Sequence, residues 1–355
     1  MEVLPSLAMV AVECSNVIIN ILFKAASLKG LSFYSFVTYC FLLGSFVFIP
    51  LIFFRKTQFP PLKFPLISRL CLLGLTGCLS KTCSSKGVEL SSPTLSSAAA
   101  NLLPAFTFIL AVFFRMEKVE FRRLATQAKI IGTITSISGA LVMTFYKGPQ
   151  IISSSPRTSS SSVLEFHRPL GSSESNWIIG GILEAVAYLI LSFWCIIQAQ
   201  VMKMYPEEIT VNLFYNLSAA LVSLPISLVA EPQLTSWRLT SSVSVVAVLY
   251  SGLFGFSFSS AVHTWCIHSK GPVFVASFRP TSIVVAAVMS ATFLGEAVYL
   301  GSVIGAVIIT GGLYAVLWGK AKEEEEMRDG EYPAGLSRLG TLSSDLAPLL
   351  QSYKS

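Results

Sequence analysis

Charge is scarce in this sequence. Asp, Glu, Lys and Arg make up 12% of its 355 residues, against about 25% in an ordinary soluble domain. With 53% apolar residues and a mean hydropathy of +0.68, a water-soluble globule is excluded. Intrinsic disorder, collagen and secreted disulfide scaffolds are excluded too, since none of them carries this much apolar surface. Catalytic patterns are missing as well: the apolar stretches hold no paired Asp, His-rich box or Ser/Lys pair at catalytic spacing, so no enzyme is expected. There is no G-x-x-x-x-G-K-[ST] run, because Gly319-Lys320 lacks both the upstream Gly and the following hydroxyl. ATP hydrolysis is therefore not expected. The cysteines (Cys14, Cys40, Cys71, Cys78, Cys83, Cys195, Cys266) lie inside apolar stretches without two CxxC units. They read as packing residues, and neither a metal nor a cofactor is expected. Basic blocks interleaved with aromatics are absent too, so the net charge of +6 does not point to nucleic acid.

Long apolar runs are what the chain has instead. Matched to a bilayer of about 20 residues per helix, they predict spans at 4–26, 33–54, 67–88, 93–114 and 127–146, then 177–199, 210–230, 242–266, 273–294 and 299–318. The first run lacks a basic leader and carries Glu13 in its middle, so it is expected to stay in the membrane rather than be cleaved. Between the groups, residues 148–175 hold ten serines with Pro and Gly, a composition that buries no core. If the N-terminus is cytosolic, the inner connections collect Arg55, Lys56, Lys63, Arg69, Arg115, Lys118, Arg122, Arg123, Lys129, Lys203, Lys270, Lys320 and Lys322. The outer ones hold only Lys24, Lys29, Lys86, Lys147, Arg157, Arg168 and Arg238. This bias puts both termini in the cytosol. The tail after Trp318, with Glu323 to Glu326 in a row, reads as a solvated disordered segment. Asn216-Leu217-Ser218 matches a glycosylation acceptor but lies inside an apolar run, so it is discounted.

The two groups echo each other. The fourth and ninth runs each follow a Pro (Pro93, Pro272), carry an internal Pro (Pro104, Pro280) and end in a Glu at the same spacing (Glu117, Glu296). The fifth and tenth share an Ile-Gly with a second Gly seven residues on, at Gly132/Gly139 and Gly305/Gly312. Small residues there are expected to bring the two helices close. Glu13 and Glu184 sit near the middle of the first helix of each group. Because five is odd, two such groups in one chain enter the bilayer in opposite senses. An inverted repeat of this kind supports alternating access to a central site. Duplicated bundles also serve as receptors or scaffolds, and that alternative stays open.

At Leu102-Leu103-Pro104-Ala105-Phe106-Thr107-Phe108, Phe114-Arg115-Met116-Glu117-Lys118-Val119, Trp265-Cys266-Ile267, Lys270-Gly271-Pro272-Val273-Phe274, Leu294-Gly295-Glu296 and Leu317-Trp318-Gly319-Lys320, the chain resembles the plant nodulin-type EamA-domain transporters of the drug/metabolite transporter superfamily. These are also called walls-are-thin-related or usually-multiple-acids-move-in-and-out proteins. The resemblance runs from about residue 10 to 322. It implies an all-α integral membrane fold of ten transmembrane helices, arranged as two inverted five-helix EamA repeats. These would be residues 4–146 and 177–318, with a non-cytosolic loop at 147–176 and a cytosolic tail at 319–355. It also implies movement of amino acids, auxin or related small metabolites. Cys40 stands where many relatives carry Arg, and Lys81 where a Gln or similar polar residue is usual.

A charge at mid-bilayer costs roughly 2.5–3.5 kcal/mol on insertion scales. Glu13, Lys81, Glu184 and Arg279 therefore need partners or a wet cavity, and they are the candidate substrate-binding residues together with Asn101. Lys81 and Arg279 would attract a carboxylate, and Glu13 or Glu184 would face an amine or a proton. Glu13, Glu184 and His263 are the candidate proton relay; Tyr39, Trp194 and Trp265 are candidate aromatic contacts. Asn101 and Gln198 also read as hydrogen-bonding groups between helices. Asp345 with Leu349 and Leu350 matches an acidic dileucine sorting pattern, which would favour the vacuolar over the plasma membrane. The expected partners are a small-molecule substrate, lipid and a coupling proton; a homodimer stays open. A phosphorylated-sugar or nucleotide-sugar exchanger of the same superfamily is the alternative within transport.

Overall fold

The computed structural model describes residues 3–55, 64–91, 93–116, 123–146, 149–152, 174–233, 237–239, 241–289 and 298–331. Glu117, Glu296, most of the serine-rich loop and the sorting pattern at Asp345, Leu349 and Leu350 lie outside these residues. The described chain is almost wholly helical, as a polypeptide in lipid must be if its backbone groups are to be satisfied internally. Eight helices among the described residues are long and apolar enough to cross a bilayer. The first three are α1 (Val3–Ser27), α2 (Phe33–Arg55) and α3 (Phe64–Leu90). The fourth expected span is two pieces, α4 (Pro93–Ala99) and α5 (Leu102–Phe113), and α6 (Leu124–Phe145) follows. In the second half come α7 (Glu174–Met204) and α8 (Glu208–Ala230). Then α9 (Ser242–Tyr250) and α10 (Ser260–Lys270) are joined by a π-helical stretch, Ser251–Ser259. The ninth expected span is again split, into α11 (Pro272–Ser277) and α12 (Thr281–Met289), before α13 (Leu300–Glu331). The eight spans leave out α6 and the split ninth helix, of which Pro272–Ala286 is a shorter apolar stretch.

The structure departs from the sequence reading in three further places. Within the stretch expected to be loop, β1 (Gln150–Ile152) pairs antiparallel with β2 (Val298–Tyr299), with Gln150 opposite Tyr299 and Ile152 opposite Val298. β-Branched and aromatic residues suit such a ribbon. α7 starts at Glu174 and runs to Met204, past both expected ends. The tail is helical as far as Glu331 rather than disordered from 319. There Glu323 accepts from Lys320 at 2.9 Å, one turn away. It also accepts at 3.1 Å from Lys129 of α6, which is itself buried, so the helix is held beyond the apolar run.

Close approach governs the packing. α6 lies along α13, and a Cβ added at Gly132 would sit 2.6 Å from the Gly312 carbonyl oxygen. At Gly139 it would meet the Ile309 backbone nitrogen at 2.8 Å. The small-residue seam expected between the fifth and tenth helices is therefore present. α2 runs antiparallel to α8, with Ser32 Oγ donating to Glu231 Oε1 at 2.9 Å and Thr38 Oγ1 2.7 Å from Ser227 Oγ. α3 packs against α7, where Ser80 Oγ donates to the Ala187 carbonyl at 2.9 Å. Lys24 fastens the end of α1 to the end of α3, its Nζ donating to the carbonyls of Val88 (3.0 Å), Glu89 (2.7 Å) and Ser91 (3.0 Å). Those carbonyls have no partner within the helix, so a cation caps them favourably.

Candidate functional site

The two split helices build the centre. α4 starts at Pro93 and α11 at Pro272, and α5 and α12 start at Leu102 and Thr281, at the same offset from those prolines. At the first break, Leu103 N–H reaches only the Ala100 carbonyl (3.1 Å). At the second, Arg279 N–H reaches Ala276 (3.1 Å) and Thr281 N–H reaches Phe278 (3.0 Å). These are tight i to i−3 bonds in place of the α-helical ladder. Pro104 lies in the first turn of α5 and Pro280 just before α12, positions where a missing N–H costs least. Each break thus leaves helix ends inside the bundle, a device that transporters use for binding solutes. Asn101 is buried in the first break.

Arg279, in the second break, faces α1. Its Nη1 lies 3.6 Å from Glu13 Oε2, and the Glu13 side chain is fully buried. Lys81 of α3 interacts electrostatically with Arg279, Glu13 and Glu184, so the four candidate charges form one cluster. Among the described residues, Lys81 makes no ion pair. Its ammonium stands over the Phe256 ring, 5.2 Å from the centroid. Lys81 lies well inside a span and is half-buried. Glu184, fully buried, accepts from Ser84 Oγ at 3.1 Å.

Aromatic rings continue from Phe256. It meets Phe41 edge-on at 4.7 Å, Phe41 meets Tyr215 at 5.9 Å, Tyr215 meets Trp194 at 5.4 Å, and Trp194 meets His263 at 6.4 Å. Among the described residues, Trp194 Nε1, His263 Nε2 and Arg279 Nε are buried without a hydrogen-bond partner. Each such orphan costs roughly 1–3 kcal/mol, a cost that a polar solute seated there would relieve.

The other expected residues fall elsewhere. Tyr39 donates its hydroxyl to the Trp237 carbonyl at 2.7 Å and meets that ring edge-on at 5.7 Å, a contact between α2 and the α8–α9 connection. Trp265 packs half-buried against the main core. Gln198 Nε2 donates to Thr264 Oγ1 at 2.7 Å, and that hydroxyl donates to Asn212 Oδ1 at 3.0 Å, tying α7, α10 and α8 together. Asn216 is buried within α8, where it donates to the Asn212 carbonyl. His263, in the first turn of α10, is buried beside Trp194.

Four contributors were not singled out from the sequence: Ser84, Phe256, Phe41 and Tyr215. Ser84 lies one turn after Lys81, so the helical period marks it as facing the same way. Phe256 carries no such signal, because it sits in the π-helical stretch where the 3.6-residue period fails. There Ser257 and Ser259 donate to the carbonyls of Gly252 (2.8 Å) and Phe254 (2.7 Å), five residues back. Among the described residues, no three His, Cys, Asp or Glu are grouped to hold a metal ion.

Comparison with known proteins agrees with this architecture. The profile of the EamA-like transporter family matches twice, over residues 6–145 and 174–318. One WAT1-related protein of Arabidopsis thaliana is 53% identical over 325 residues, covering 91% of this chain and 88% of its own. A second is 50% identical over 325 residues (91% and 90%), and a third 43% over 361 residues (99% and 96%). A solved crystal structure at 14% identity shares the fold, with a TM-score of 0.60 over 86% of this chain and 97% of that one. The matching family is one of transporters rather than of enzymes. This chain belongs to the EamA-like transporter family of the drug/metabolite transporter superfamily, as an integral membrane protein.

Proposed function

We propose that the protein is a secondary transporter that moves amino acids, auxin or related small metabolites by alternating access. Its ten spans would form two inverted five-helix units, residues 4–146 and 177–318, joined by an outer loop at 147–176. Both termini and the tail at 319–355 would lie in the cytosol, in the plasma or vacuolar membrane. Two findings support the inversion: the family profile matches the two stretches separately, and the split helices restart at matching offsets.

The observation that carries the substrate class is the charge arrangement. Arg279 and Glu13 neutralise each other across the two matched stretches, while Lys81 rests on a ring rather than on an acid. A solute carboxylate entering the centre gains an ion pair with Lys81 and Arg279, and its amine, where it has one, meets Glu13 or Glu184. Asn101 and the N-terminus of α5 add donors at the first break. Rings of Trp194, Tyr215 and Phe41 supply the apolar wall. A proton carried on Glu13 or Glu184, relayed by His263, would couple uptake to the membrane potential, since one charge crossing 100 mV yields about 2.3 kcal/mol. Uniport needs no such group.

Uptake into reconstituted vesicles tests the reading, with radiolabelled glutamine, aromatic amino acids and auxin as the panel. Saturable flux of one of them that Lys81→Met reduces at least tenfold is expected. Binding of a panel member without flux would favour a receptor or scaffold. Flux restricted to sugar phosphates or nucleotide sugars would favour the exchanger, which calls for more clustered cations than Lys81 and Arg279. Tags near positions 160 and 350 are expected on opposite faces of the membrane; finding both on one face would refute the inversion.

A further inference from the structure

The two acids at the centre are held differently. Each lies in the first long helix of its matched stretch and faces the opposite stretch. Glu13 of α1 meets Arg279 of the second break at 3.6 Å. Glu184 of α7 meets α3, where Ser84 Oγ lies 3.1 Å from its Oε2 and 3.4 Å from its Oε1. The first break offers no cation at the matching place. Ala100 stands at the same offset from Pro93 as Arg279 does from Pro272, and it packs with Tyr188, one turn along α7 from Glu184. Among the described residues, Glu184 makes no ion pair.

This difference decides what each carboxyl can do with a proton. A guanidinium only donates and does not deprotonate, so Arg279 serves Glu13 only while Glu13 is ionised; neutralising Glu13 would strand a buried charge. A hydroxyl both donates and accepts. By rotating its O–H, Ser84 donates to Glu184 as a carboxylate and accepts from it as a carboxylic acid, so either state keeps a bond. Gly87 makes room for the group, since an added Cβ there would come 2.8 Å from Glu184 Cγ and 2.9 Å from Oε1. The titratable groups facing Glu184 are Lys81 and Cys83 from α3 and Tyr188 from α7 itself; α4, which also packs here, holds none. Tyr188 gives its hydroxyl proton to the Ser96 carbonyl at 3.3 Å. Lys81, one turn before Ser84, is the cation of the set, and its charge supports the ionised form of Glu184.

We propose that Glu184 is the carboxyl that carries the coupling proton, with Ser84 as its positioning residue and Lys81 as the charge that governs when the proton is held, while Glu13 stays ionised as the fixed counter-charge of Arg279. This deepens the transport reading above and rests on it. A solute carboxylate that pairs with Lys81 withdraws the support for ionised Glu184. Solute and proton therefore favour each other's binding, by reciprocity to the same degree, and coupling of that sign is symport.

Infrared difference spectra of the full chain in liposomes test the assignment. Between about pH 9 and about pH 6 exposed carboxyls stay ionised, so a protonated-carboxyl C=O band that grows on acidification reports a buried one. That band is expected in the wild-type protein, absent in Glu184→Gln and retained in Glu13→Gln. Lys81→Met should raise the proton affinity that the band reports at least about threefold. No band in the wild type, its persistence in Glu184→Gln, its loss in Glu13→Gln or an unmoved midpoint in Lys81→Met overturns the proposal. Should Glu184→Gln not fold, Ser84→Ala decides: losing the hydroxyl should shift the band frequency, and an unshifted band overturns the assignment. Failure of the transport reading has another signature. Vesicles in which the Glu184 band titrates while no member of the uptake panel is carried would refute transport and leave the proton site standing.

Discussion

Replacing Glu13 by Gln strands the Arg279 guanidinium in the middle of the bundle, and the size of the resulting loss can be worked from the geometry. At 3.6 Å and an effective dielectric constant of about 20, opposite unit charges attract by about 5 kcal/mol. Much of that is offset by the cost of removing both charges from water, so the intact pair stabilises little in net terms. Removing one partner is different, because the survivor keeps its desolvation cost without its counter-charge; about 3–5 kcal/mol is typical. At roughly 2 °C per kcal/mol for a chain of this size, Glu13→Gln should lower the apparent unfolding midpoint in detergent by about 6–10 °C. Arg279→Gln should be milder, because a carboxyl can shed its charge by taking up a proton and a guanidinium cannot. The double variant should lose at least about 1.5 kcal/mol less than the sum of the single losses. Midpoints must be compared at one scan rate, since membrane proteins often unfold irreversibly. Additivity of the two losses within about 0.5 kcal/mol would refute the coupling, and with it the idea that this pair holds the two matched stretches together.

Other outcomes follow from the same structure. Gly132→Ala should destabilise by about 1–3 kcal/mol, since the new Cβ meets backbone atoms of α13 within 2.8 Å. Gly311→Ala, with nothing within 4 Å, should be neutral or stabilise by up to about 1 kcal/mol in the same thermal assay. If Glu13→Gln and Glu184→Gln both leave the pH dependence of uptake unchanged, proton coupling through those groups is wrong; a flattened pH profile in at least one is expected. Phe256→Leu removes the ring under Lys81 and should change the uptake ratio of a carboxylate solute to its neutral amide by about 2–10-fold, from a cation–π contact of roughly 0.5–1.5 kcal/mol; an unchanged ratio would mean the ring only fills space.

The helices were legible in the sequence because apolar run length is a direct consequence of bilayer thickness. The α6–α13 seam was legible for a similar reason, since Gly132, Gly139 and Gly312 recur at helical spacing and have no other use there. The same logic picked out Glu13, Lys81, Glu184 and Arg279: a charge inside an apolar run is costly wherever it points, so it needs no geometry to be noticed. Which charge meets which is a tertiary matter, and spacing along the chain could not say that Arg279 meets Glu13 while Lys81 meets a ring. Tyr39 shows the converse failure, because an aromatic residue inside a run carries no directional information, and its hydroxyl is used at Trp237 instead. The helical start of the tail escaped for another reason. Four consecutive glutamates read as solvated, yet Glu323 is held by a lysine from α6 that is distant in sequence.

The wide turn at Ser251–Ser259 carries a surplus of backbone relative to an ordinary helix. Each residue of an α-helix advances the wheel by about 100°, so a wheel drawn at that step through this wider stretch turns Phe256 and everything beyond it away from the face they occupy. A homologue shorter by one residue here can keep both ends of its span in place by winding normally. Sequence alignments that open a gap in this stretch are therefore compatible with an unchanged core on either side of it.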